Sequence, residues 1–144
     1  MDSLALNIAV PVGAAALENY IIYGTGTRLS DTKANPMLPP GYIIGIVWMV
    51  LLGLLGYAHF LLYTFQGANN IAASSVIVLI LYCLAYPIFL YYKAFTMKEL
   101  NIFSVCITAV AFTITYLTLP KASYAVLPTL LWVSYVVLSD VIYP

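Results

Sequence analysis

From Gly41 to Tyr63 the chain carries no Asp, Glu, Lys or Arg, and two prolines, Pro39 and Pro40, stand directly in front of that stretch. Proline suits a helix start, because its missing N–H would have no intrahelical partner there. A helix over these residues spans about 35 Å at 1.5 Å per residue, enough to cross a hydrocarbon core of about 30 Å. Trp48, Leu52, Leu55 and His59 recur at helical spacing and share one face. Gly53 and Gly56 lie on an adjoining face and invite close approach by a neighbouring backbone.

Four more apolar stretches follow the same pattern, so the approximate spans are 4–23, 41–65, 71–92, 100–119 and 122–143. Composition agrees. Of 144 residues 64% are hydrophobic and 7% charged, against about 25% charged in soluble domains. Mean hydropathy is +1.01. The expected fold is all-α and integral to the membrane, a five-transmembrane-helix bundle in a single domain over 1–144. The formal net charge is zero, so nothing points to nucleic acid. The opening MDSLALN lacks a basic n-region, and no cleaved signal peptide is expected.

The few charges are informative. Glu18 lies inside the first span, where a carboxyl must face other helices, water or the interface. Arg28, Asp31 and Lys33 sit in the long polar connection from Gly24 to Leu38, which is placed to cap one end of a bundle. His59 is the only histidine, and no Cys/His/Asp/Glu cluster surrounds it, so no metal or haem site is expected. Cys83 and Cys106 both fall inside spans and read as small apolar packers. Pro87 in the third span removes one helical hydrogen bond. Tyr91, Tyr92 and Lys93 read as an interfacial anchor. The fourth span, rich in Thr, Val and Ile, reads as structural. The fifth places Trp132, Val136 and Ser139 on one face with Asp140 beside them. Arg28, Lys33, Lys93 and Lys98 fall on one side of the membrane and Lys121 alone on the other. The positive-inside rule therefore puts the N-terminus outside and the C-terminus in the cytoplasm.

Two separated blocks carry a resemblance. Pro39, Pro40, Tyr42, Val47, Trp48, Leu51, Leu52, Leu55, Gly56 and Ala58 form the first; Pro128, Leu130, Trp132, Ser139 and Asp140 form the second. A third, weaker segment is Tyr86, Pro87, Ile88, Phe89 and Leu90. With them the chain resembles the TspO/MBR family, the translocator proteins also called peripheral benzodiazepine receptors or tryptophan-rich sensory proteins. It departs from the family in three ways. The WYxxLxKP segment ahead of the double proline is replaced by TRLSDTKANPML. Tyr82 and Asp140 stand where the family places asparagines. Val136 stands where a small residue follows the last-span tryptophan.

The resemblance implies a five-helix bundle, often a homodimer, with a cavity under the first loop that takes porphyrins, sterols or benzodiazepine-type drugs. It implies ligand contacts from Pro39, Pro40, Tyr42, Trp48, Leu52, Leu55, Tyr82, Tyr86, Trp132, Val136 and Asp140. Should porphyrin be degraded in light, Trp48 and Trp132 are the residues implicated. No cofactor is implied. Aromatic faces suit a flat apolar macrocycle, at about 0.5–1.5 kcal/mol each beyond area burial. Arg28 or Lys33 would meet a propionate. For sterols, the last span ends SDVIYP with no following cation, and only a loose pattern at Leu90, Tyr92 and Lys98 remains. Two alternatives stay open. One is a membrane enzyme of acid–base type using Glu18, His59 and Asp140. The other is a ligand-free structural or assembly subunit.

Overall fold

The computed structural model describes residues 3–24, 35–67 and 70–143. Arg28, Asp31 and Lys33, with most of the first loop, and part of the turn at 66–70 lie outside the described residues. Five helices are long and apolar enough to cross a membrane, and there is no strand among the described residues. They are α1 (Leu4–Asn19), continued by a π-helical turn over Tyr20–Gly24, α2 (Gly41–Gln66), α3 (Ile71–Tyr91), α4 (Met97–Thr118) and α5 (Pro120–Ile142). The chain is an all-α membrane bundle.

Local chemistry sets the helix ends. The Pro40 carbonyl accepts from Ile43 and Ile44 N–H at 2.9 and 3.2 Å, starting α2. Asn70 caps α3 by accepting from Ala72 N–H at 2.7 Å. Thr96 and Glu99 form a reciprocal capping box, with Glu99 N–H donating to Thr96 Oγ1 at 3.2 Å and Thr96 N–H to Glu99 Oε2 at 2.8 Å. That box starts α4 at Met97, three residues before its apolar run, because a cap satisfies end N–H groups without needing hydropathy. Pro120 occupies the first turn of α5. Lys93 adopts a positive φ of 53° in the turn that reverses α3 into α4.

Helices consecutive in the chain run antiparallel. Asn7 meets His59 and Asn19 meets Gly45, which aligns α1 against α2. Tyr82 meets Ser104 and Tyr86 meets Asn101, aligning α3 against α4. Asn101 meets Asp140, aligning α4 against α5. Contacts follow a ring in the order α1, α2, α5, α4, α3, with α2 also packed on α3, and the ring is loosest where α1 meets α3.

The core is built from Leu52, Leu55, Ala58 and Leu62 of α2, Ala72, Val76 and Leu79 of α3, Ala111 of α4, and Ala122 and Val126 of α5. Leu6, Val50, Leu81, Val110 and Leu131, one from each helix, are more than half exposed. An outer surface this apolar is suited to lipid, whereas soluble proteins keep exposed apolar patches small. Cys106 lies on that exposed surface, so it does not pack the interior; Cys83 is half-buried, and both thiols are free.

The tightest crossing is α1 on α2. A Cβ on Gly56 would fall on the Asn7 carbonyl oxygen and 3.2 Å from Pro11 Cγ. Pro11 has no N–H to offer the carbonyl four residues earlier, which is that of Asn7. The Asn7 carbonyl lies against Gly56, where only hydrogen on Cα leaves room. Asn7 also joins His59 Nδ1 at 2.6 Å. His59 is therefore a buried packing histidine at the end of the bundle remote from the first loop.

Candidate functional site

A cavity of about 60 Å3 opens near the first-loop end, between α1, α2 and α3. Its wall is Ala15, Glu18, Asn19 and Ile22 from α1 and its π-turn, Trp48 and Leu52 from α2, and Cys83, Tyr86 and Pro87 from α3. It lies at the loose seam of the ring. The seam is held open by how the neighbouring polar groups are spent. Asn19 Nδ2 donates to the Gly45 carbonyl at 3.1 Å, and a Cβ on Gly45 would collide with the Asn19 amide. The Tyr23 hydroxyl donates to the Gly41 carbonyl at 2.7 Å. These bonds fasten α1 to α2 and leave its α3-facing side without an equivalent tie among the described residues.

On the far side of Tyr86 a polar chain runs into the bundle. The Tyr86 hydroxyl donates to Asn101 Oδ1 at 2.7 Å, and Asn101 Nδ2 donates to Asp140 Oδ2 at 2.6 Å. Beside it the Tyr82 hydroxyl donates to the Leu100 carbonyl at 2.7 Å, and the Ser104 hydroxyl donates to the same carbonyl at 2.9 Å. Asp140 is thus a partnered carboxylate that fixes the tyrosine in the cavity wall through Asn101.

The end of the first loop is strapped to α5. Asn35 Nδ2 donates to Ser139 Oγ at 3.1 Å, and the Tyr135 hydroxyl donates to the Met37 carbonyl. Leu38, Pro39 and Pro40 follow directly into α2.

The expected ligand residues separate into groups. Trp48, Leu52 and Tyr86 share the cavity. Leu55 is fully buried core one turn below. Tyr82 serves the α3–α4 contact, and Tyr42 is exposed. Pro39 is half-buried and Pro40 exposed, at the start of α2. Trp132 and Val136 are half-buried on α5; Trp132 leans on Tyr135 at 6.0 Å between ring centroids, and its buried indole N–H has no hydrogen-bond partner among the described residues. Neither belongs to the cavity wall. Ala15, Glu18, Asn19, Ile22, Cys83 and Pro87 of the wall were not among the expected ligand residues, nor were Asn101 and Ser104 behind it. An asparagine inside the fourth apolar span, with a serine three positions on, was the available signal.

Glu18, His59 and Asp140 do not converge. His59 pairs with Asn7, about 16 Å along α1 from Glu18 at 1.5 Å per residue. No group of His, Cys, Asp and Glu able to hold a metal occurs among the described residues.

A profile of the TspO/MBR family matches residues 7–141, nearly the whole chain. The chain belongs to the TspO/MBR family. Comparison with curated proteins and with solved structures gave no match. Membership of the TspO/MBR family supports a membrane role in ligand binding, transport or sensing. It agrees with five spans, with Trp48 inside the bundle and with the loop end strapped over the last helix.

Proposed function

We propose that this TspO/MBR protein binds a flat hydrophobic ligand of the porphyrin class at the α1–α2–α3 cavity and works as a carrier or sensor, or as a light-dependent porphyrin-degrading catalyst. The observation that carries the reading is the meeting of Trp48, Tyr86 and Leu52 in one cavity at the loosest seam of the ring. Two aromatic rings and an aliphatic wall are what a planar apolar ligand packs against. The cavity, about 60 Å3, is small beside ligand pockets of roughly 300–1,000 Å3. A macrocycle therefore occupies the α1–α3 seam, parting α1 from α3 while the Asn19–Gly45 and Tyr23–Gly41 bonds hold α1 on α2. The protein acts as a homodimer in the bilayer with its N-terminus outside and its C-terminus in the cytoplasm.

The acid–base reading has no support in the placement of Glu18, His59 and Asp140. The test is titration of detergent-solubilised protein with protoporphyrin IX, followed by illumination. Saturable quenching of tryptophan emission supports ligand binding. Loss of porphyrin absorbance that depends on Trp48 supports degradation, and binding without loss supports a carrier or sensor. Absence of saturable quenching removes the porphyrin reading.

A further inference from the structure

The polar chain behind the cavity does not stop at Asp140. Its first member, Tyr86, lines the cavity and donates its hydroxyl to the buried Asn101 at 2.7 Å. Asn101 donates to Asp140 at 2.6 Å. Ser139, the residue before Asp140 on α5, accepts from Asn35 Nδ2 at 3.1 Å, and Asn35 Oδ1 accepts from Met37 N–H at 3.0 Å. A path of side-chain bonds therefore leads from the cavity wall on α3, across α4 and the end of α5, to the end of the first loop.

One element on that path has two accessible states. α5 ends at Ile142, so Ser139 and Asp140 lie in its last turn. The final carbonyls of a helix lack intrahelical partners, and terminal turns open at little cost in free energy. Val141 and Ile142 are exposed and add little packing. The turn is held instead from two sides, by Asn101 on Asp140 and by Asn35 on Ser139. The Tyr135 hydroxyl, one turn earlier on the same face as Ser139, holds the Met37 carbonyl. A ligand packed on the Tyr86 ring favours the rotamer that reaches Asn101, and an engaged Asn101 favours the docked turn. A ligand shifts such an equilibrium only through a contact that differs between the two states, and the Tyr86 ring provides that contact.

We propose that this chain couples the cavity to the strap, so that a ligand against Tyr86 tightens the hold of α5 on residues 35–38 and its presence is read out at the membrane surface. This rests on the ligand-binding reading above and gives its sensor form an output, which a plain carrier does not need. Asn101 and Asp140 are positioning residues in this device, since neither belongs to the cavity wall.

The experiment uses the full-length protein in non-ionic detergent, with protoporphyrin IX as the probe. Tryptophan quenching reads occupancy. Hydrogen exchange followed by mass spectrometry reads the amides of Met37 and Leu38, both of which bond to Asn35. At saturation their exchange is expected to slow by at least about fivefold, the lower end of ordinary coupling between sites. Tyr86→Phe keeps the ring and removes the hydroxyl; compared at its own saturation, it is expected to lose the effect. Asn101→Leu, behind the wall, is expected to lose it too. Tyr82→Phe, whose hydroxyl serves the Leu100 carbonyl outside the chain, is expected to keep it. Unchanged exchange in the wild type at saturation overturns the coupling and leaves the ligand-binding reading standing. Slowing that survives Tyr86→Phe or Asn101→Leu also overturns it, because protection then comes from porphyrin touching the loop directly. Loss in all three variants overturns it as well, as a general loosening of α3. Without saturable quenching both readings fall. Elution of each variant at the wild-type position excludes misfolding, and should Asn101→Leu fail that check, Tyr86→Phe decides alone.

Discussion

Gly56→Ala tests the α1–α2 crossing on which the cavity depends. The added methyl would fall on the Asn7 carbonyl oxygen, 2.9 Å from the carbonyl carbon and 3.2 Å from Pro11 Cγ. The obstacle is backbone, so relief requires α1 to retreat. A retreat of about 1 Å forfeits roughly a quarter to a half of each affected dispersion contact. Overpacking of this kind costs about 1–3 kcal/mol. Strain on the buried Asn7–His59 bond at 2.6 Å adds about 0.5–1.5 kcal/mol. Better helix propensity returns up to about 1 kcal/mol. The net expectation is a loss of about 0.5–4.5 kcal/mol, centred near 2.5. Gly53→Ala is the matched control, because its Cβ meets only Val12 Cγ2 at 3.2 Å and Ile8 Cγ2 at 3.8 Å, both side-chain methyls. It should change stability by no more than about 0.5 kcal/mol. Reversible unfolding in mixed micelles, read by circular dichroism against the mole fraction of SDS, measures both. Equal effects of the two substitutions would refute the argument that the Asn7 carbonyl packs on Gly56.

Other expectations follow from the polar chain, the strap and the cavity. Asp140→Ala should destabilise by more than about 1 kcal/mol in the same unfolding assay, since it leaves the Asn101 amide without its acceptor. Asn101→Ala combined with Asp140→Ala should cost less than the sum of the single changes, because both act on one network. Tyr135→Phe should lower stability by about 0.5–1.5 kcal/mol by releasing the Met37 carbonyl, and limited proteolysis should then cut faster near Met37. Trp48→Phe keeps an aromatic face, so porphyrin affinity measured by absorbance titration should fall by at most about tenfold.

Much of the architecture was legible because lipid imposes a simple rule: a spanning segment must be apolar and satisfy its own backbone. The five stretches obey it, and the signal for close backbone approach holds at Gly56 but not at Gly53, which meets only side-chain methyls of Val12 and Ile8. The start of α4 was hidden, since Lys98 and Glu99 interrupt the apolar pattern while Thr96 and Glu99 cap the helix. The site was legible only on α2 and in part on α3. Trp48 stood out by family motif and helical face, but that Glu18, Asn19 and Cys83 share its cavity depends on helix rotation and ring order, which one-dimensional spacing does not encode. Asn101 was hidden for the same reason: its value lies in partners on α3 and α5. Trp132 stood in the second, less specific block, and it sits on α5 beside Tyr135, away from the cavity wall.

The central claim is that ligand enters at Trp48, between α1, α2 and α3. The chain has only two tryptophans, so Trp132→Phe reports on Trp48 alone and Trp48→Phe on Trp132 alone. The direct measurement is quenching of each single-tryptophan protein by protoporphyrin IX at saturation, with lifetimes to separate contact from distance. The account predicts strong static quenching of Trp48 and weaker, distance-type quenching of Trp132. Static quenching of Trp132 with Trp48 left bright would contradict it and move the site to α5.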